Sequence, residues 1–120
     1  MKAILKTTII GLAAIFLNNG GVSAHAHLLD IKVLAIASNQ SKINLTFSEK
    51  LVLQFSTAKV VAADGSVVNL SAVTLSESDP KILVAATKTK LGSGAYFVDW
   101  KAVSSDSHKT TGRASFEVKP

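Results

Sequence analysis

Histidine is scarce in this chain, and its three copies fall in two tight pairs. His25 and His27 stand two apart, and His108 stands two after Asp106. Residues two apart in an extended backbone share a face. Asp106-x-His108 would then offer a carboxylate oxygen and an imidazole nitrogen to one point in space. His25 follows Val22-Ser23-Ala24, a small-residue run suited to signal-peptide cleavage. Cleavage after Ala24 would make His25 the first residue, and its α-amine and imidazole Nδ1 could chelate one metal ion together. Reference pKa values of ~7.7–8.0 for the amine and ~6.5 for the imidazole mean that a metal displaces few protons at neutral pH. His27 would add a second imidazole, His108 a third, and Asp106 one hard oxygen. Such a set suits Cu(II) in tetragonal geometry, and zinc would accept it in a tetrahedron. The chain has no cysteine, and Met1 is its only methionine. Soft Cu(I) and blue-copper centres depend on sulfur ligands, so neither is expected.

Other chemistries find less support. Ser104, Ser105 and Ser107 stand close to Asp106 and His108, but no nucleophile-elbow pattern surrounds them. Glu49, Asp99 and Asp106 are carboxylates without a feature that selects a catalytic pair. The lysines are scattered rather than clustered, which does not point to nucleic acid. No glycine-rich phosphate loop is present.

The elements that must position these residues are short and extended. Lys2 and Lys6 followed by the apolar run Ile9–Leu17 read as a signal peptide over residues 1–24, too short to span a membrane. The remaining domain, 25–120, is expected to have no membrane span. Without Lys2 and Lys6 the net charge falls from +5 to +3, ordinary for an exported domain. Lacking cysteine, the core must hold by apolar packing alone. Strands are expected over Leu28–Ala37, Lys42–Phe47, Ala58–Ala63, Ser66–Leu70, Val73–Leu75, Ile82–Ala86, Ala95–Val103 and Ala114–Val118. Ile43, Leu45 and Phe47 alternate as an inward face. Leu51–Phe55 reads as an irregular connection or short strand, and Asp64-Gly65 as a hairpin turn. Seven to eight short strands without an amphipathic helix predict an all-β, antiparallel Greek-key sandwich or barrel.

Several segments carry a resemblance to a known family. Ile43–Glu49 (INLTFSE), Leu51–Lys59 (LVLQFSTAK), Asp79-Pro80-Lys81 and above all Tyr96–Gly112 (YFVDWKAVSSDSHKTTG) resemble the periplasmic copper-resistance proteins of the CopC family. The resemblance implies a cupredoxin-like (Ig-like) Greek-key fold and a Cu(II) site near the N-terminus. It maps the family's N-terminal histidine onto His25, a second imidazole onto His27, and the Asp-x-His loop onto Asp106 and His108. Glu49 maps to a neighbour of the site. Ala24-His25-Ala26 would also permit cleavage two residues later, leaving His27 first, but the resemblance favours His25 as the first residue. Some family members carry a methionine-rich Cu(I) segment, whereas Val60–Ser78 here has neither methionine nor histidine. The expectation is a monomeric, single-site Cu(II) binder in the periplasm, not an enzyme. Its partners would be an inner-membrane copper importer or another periplasmic copper protein. The rival readings are a copper oxidase built on an N-terminal histidine chelate and a metal-free structural β-sandwich.

Overall fold

The computed structural model describes residues 26–37 and 39–120. Seven strands follow in order: β1 (Leu28–Ala37), β2 (Gln40–Phe47), β3 (Thr57–Ala62), β4 (Leu70–Leu75), β5 (Ile82–Thr87), β6 (Gly94–Val103) and β7 (Lys109–Val118). A single 3₁₀ turn, Leu53–Phe55, interrupts the connection from β2 to β3. The strands form two antiparallel sheets, ordered β1-β2-β5-β4 and β3-β6-β7. Among the described residues no helix is long and apolar enough to cross a membrane. The expected signal peptide, 1–24, lies outside the described residues.

Alternation decides which face is buried. In β2, Ile43, Leu45 and Phe47 are fully buried, while Lys42, Asn44 and Thr46 between them are half-buried on the other face. Across the interior they meet a sheet whose inward positions include Val60, Val98 and Ala102, all without exposure. β5 is central in its sheet, and Leu83, Val84 and Ala85 are buried in succession, as its unbroken apolarity predicts. Two aromatic contacts mark opposite parts of the core. Phe47 meets Trp100 edge to face at 5.1 Å, and Tyr96 stacks on Phe116 at 5.5 Å. The Tyr96 hydroxyl donates to the Gly92 carbonyl at 2.8 Å, so its polar tip is satisfied.

Gly112 is the partner of Trp100 in the β6–β7 ladder. A Cβ there would stand 2.6 Å from Trp100 Cζ2, so only glycine lets the indole lie flat across β7.

Three expectations about the strands are corrected. The Asp64-Gly65 turn forms, with Gly65 at φ +92° and the Asp64 carboxylate accepting from the Ser66 backbone and hydroxyl. The return over Ser66–Leu70 does not become a strand. It makes one bridge, Val61↔Val67, and a backbone bond from Val68 to Val60 before leaving. The chain then crosses to the other sheet, where Leu70–Leu75 is one continuous strand beside β5. The separate short strand expected at Val73–Leu75 is the end of β4. The last strand also starts earlier than Ala114, at Lys109, because β7 matches the full length of β6.

Candidate metal centre

The β6–β7 hairpin closes through Ser104–His108. Here the structure corrects the pleat argument. Asp106 and His108 do not share a strand face; they meet inside a tight turn. The Ser107 amide donates to the Ser104 carbonyl at 2.8 Å, and the Ser104 amide to the His108 carbonyl at 2.9 Å. Ser107 takes the left-handed conformation, φ +75°. A left-handed residue closing a short turn is a common hairpin ending, and here a serine fills the place that glycine usually takes. The segment before the 3₁₀ turn braces the hairpin end: Ser105 donates to the Lys50 carbonyl at 3.0 Å and Val52 to the Val103 carbonyl at 2.8 Å. Leu51 bridges Ser104.

Within this turn the imidazole Nδ1 of His108 lies 3.0 Å from Asp106 Oδ2. Both side chains are about half exposed, at 53% and 47%. Asp106 Oδ1 accepts the hydroxyl of Ser104, which is almost wholly buried, and a longer bond of 3.3 Å from the His108 amide. These donors, the Ser104 hydroxyl first and the His108 side chain second, hold the Asp106 carboxyl down from 3.8 to about 2. An ionised carboxylate only accepts, so the proton between the two groups resides on Nδ1. In the neutral ring that puts the acceptor lone pair on Nε2, across the ring from Asp106, so one ion could take both groups only after the imidazole turns out of this hydrogen bond. Each carboxylate oxygen also retains a second lone pair.

The other limb approaches through backbone contacts. His27 donates its amide to Ser48 Oγ at 2.9 Å, and its carbonyl accepts the Ser48 amide at 2.9 Å. The Ala26 carbonyl accepts the Thr110 hydroxyl at 2.8 Å. Thr110 stands two residues beyond His108, and Ala26 is the peptide neighbour of His25. His25 itself lies outside the described residues. His27 is exposed, and Glu49, the residue after Ser48, is half-buried.

Asp106 and His108 are therefore brought together, and His27 is anchored by its backbone to Ser48, the residue that follows β2. Among the described residues no cluster of three or more His, Cys, Asp or Glu is assembled. Three hydroxyls that hold these limbs, those of Ser48, Ser104 and Thr110, have no signature in the sequence. Ser104 reads there as an ordinary turn former, and its burial and bridge to Leu51 emerge only on folding. Surface depressions lined by Ser66–Asn69 with Lys88–Gly92, and by parts of β1 and β7, do not include Asp106 or His108.

A two-sheet antiparallel sandwich with an exposed Asp-x-His turn beside its N-terminal segment is the class of protein that this fold and site define. The family model described as "CopC domain" matches residues 33–119. Copper resistance protein C of Pseudomonas syringae pv. tomato is 44% identical over 84 residues, covering 66% of this chain and 67% of that protein. Protein YobA of Escherichia coli K12 is 36% identical over 101 residues, covering 82% of each. The crystal structure of PcoC, a methionine-rich copper resistance protein from E. coli, superposes with a TM-score of 0.64 at 36% identity. That match covers 80% of this chain and 100% of PcoC. The chain belongs to the CopC family.

Proposed function

We propose that this protein binds one Cu(II) ion at the hairpin end of the sandwich. In this reading the ligands are the α-amine and imidazole of His25, the imidazoles of His27 and His108, and the carboxylate of Asp106. Residues 1–24 are removed on export, so that the amine exists in the mature periplasmic chain. The protein acts as a monomer that sequesters copper or delivers it to an inner-membrane importer or another periplasmic copper protein. It performs no catalysis.

The observation that carries this reading is the Asp106–His108 pair at 3.0 Å on a braced, exposed turn, with Ala26 tied to the same hairpin by Thr110. The relatives support copper as the cargo: three of the proteins that this chain is similar to bear the name copper resistance protein C. The donor chemistry supports the divalent state. PcoC is described as methionine rich, whereas this chain has one methionine, Met1, ahead of the proposed cleavage point. With imidazole, amine and carboxylate donors and no sulfur, Cu(II) is held far more tightly than Cu(I).

The test compares the domain starting at His25 with one carrying an added N-terminal Gly. Cu(II) titration against a competing chelator, with electron paramagnetic resonance, should show weaker binding and an altered spectrum in the extended form. Identical affinities and spectra would remove the amine from the ligand set. Comparable affinities for Cu(I) and Cu(II) would reject the oxidation-state assignment.

A further inference from the structure

We propose, building on the copper reading above, that Thr110 is a positioning residue that sets the N-terminal limb against the Asp106–His108 turn before metal arrives. Thr110 lies on β7, in register with Ala102 of β6 and two residues from His108. Its hydroxyl donates to the Ala26 carbonyl at 2.8 Å, across 84 residues of sequence. The strand fixes the Thr110 backbone, and its β-branched side chain has few χ1 choices. A donor built this way is stiff.

The recipient is held with equal care. Ala26 precedes β1, yet it is only 1% exposed. On its C-terminal side, Ser48 takes both backbone groups of His27 at 2.9 Å. Ser48 follows β2 of the four-stranded sheet, while Thr110 belongs to the three-stranded sheet. The segment Ala26–His27 is thus pinned to both sheets at the end where β6 turns into β7. Thr110 contributes no ligand. It acts by ordering the peptide that joins His25 to His27, so that chelation by this limb does not have to order the backbone at the moment of binding.

Thr110→Val keeps the β-branch and removes the hydroxyl; Thr110→Ser keeps the hydroxyl. Both are compared with the parent domain starting at His25 and with His108→Ala. The expected result is a Cu(II) affinity lowered on the order of 10-fold in Thr110→Val, with a shifted paramagnetic resonance spectrum, and recovery of both in Thr110→Ser. In the metal-free protein, hydrogen exchange at the His27 amide should accelerate in Thr110→Val and stay slow in Thr110→Ser. If Thr110→Val binds Cu(II) like the parent while His108→Ala does not, the copper reading stands and the role given to Thr110 is wrong. If neither substitution changes Cu(II) binding, the copper site and this inference fall together. Weakened binding in Thr110→Val that Thr110→Ser does not restore would also overturn the assignment, since the hydroxyl would then be irrelevant.

Discussion

Asp99 and Asp106 belong to the same hairpin, are exposed to similar degrees at 37% and 47%, and are each held by a basic side chain. Asp99 is the ladder partner of Arg113, whose Nε and Nη2 donate to its two oxygens at 2.6 and 2.9 Å. The guanidinium also lies over the Phe97 ring, 5.0 Å from its centroid. Asp106 is held by the turn itself, through Ser104 and His108. Both carboxyls are pulled below the ordinary value of 3.8, Asp99 chiefly by Arg113 and Asp106 chiefly by the Ser104 hydroxyl. The chemical outcomes differ because of the partner. Guanidinium is permanently charged and has no acceptor, so it occupies both oxygens and repels a cation. Imidazole holds the carboxylate with one nitrogen and has a second that can carry a lone pair. A carboxylate beside arginine on a sheet face is a surface brace, whereas the carboxylate beside histidine on the turn belongs to the copper site proposed above.

Substitution of the two basic partners gives the largest effect and the most direct way to break this contrast. His108→Ala should lower Cu(II) affinity by about 10- to 100-fold or more, the scale seen when groups next to a metal are removed. Arg113→Ala should leave Cu(II) affinity unchanged and produce only a small fall in melting temperature, as exposed ion pairs contribute little. Equal loss of copper affinity in both variants, read by competition titration, would show that the contrast is false.

The frame that carries both pairs can be strained without touching either. Gly112→Ala places a methyl where the Trp100 ring lies, 2.6 Å away. Trp100 is itself packed on Phe47, so the indole cannot retreat freely. Overpacking of this kind costs roughly 1–3 kcal/mol, which urea unfolding of the metal-free protein would reveal.

The two causes of acidity can be separated by carbon-detected titration of the carboxyls in the metal-free protein. Ser104→Ala should raise the Asp106 pKa from about 2 toward 3.8 and leave Asp99 where it is, while Arg113→Ala should raise Asp99 alone. The sign for stability follows. The folded state lowers the Asp106 pKa, so its contribution is complete above 3.8 and disappears as pH falls through about 2. Ser104→Ala should therefore flatten the acid limb of the stability curve in that window. No such change there would mean that the hydroxyl does not stabilise the ionised carboxyl.

The smallest effect is expected at Ser107. Its left-handed backbone costs an L-residue roughly 1–2 kcal/mol, and glycine returns part of that gain through chain entropy, roughly 0.5–1 kcal/mol. Ser107→Gly should raise the melting temperature slightly. A clear fall would show that the serine side chain supports the turn.

Much of this protein is legible before folding, and the reason is periodicity. Strict alternation in Lys42–Phe47 and unbroken apolarity in Ile82–Ala86 report directly on one-sided and two-sided burial, and both segments are buried as they read. The scarcity of histidine, its two paired spacings and the lack of sulfur in 25–120 single out Asp106 and His108 before any contact is known. Periodicity does not say which strand lies beside which. Asp64-Gly65 signals a hairpin, yet Leu70–Leu75 joins β5 in the other sheet, because sheet membership is settled by core packing. Asp106 and His108 do meet, but through a left-handed Ser107 and two turn bonds rather than a shared strand face. Only the tertiary structure brings the Thr110 hydroxyl to Ala26 and Ser48 to His27. A serine or threonine that bonds a distant backbone looks, in sequence, like any other, because its meaning lies in a partner that the folded chain delivers.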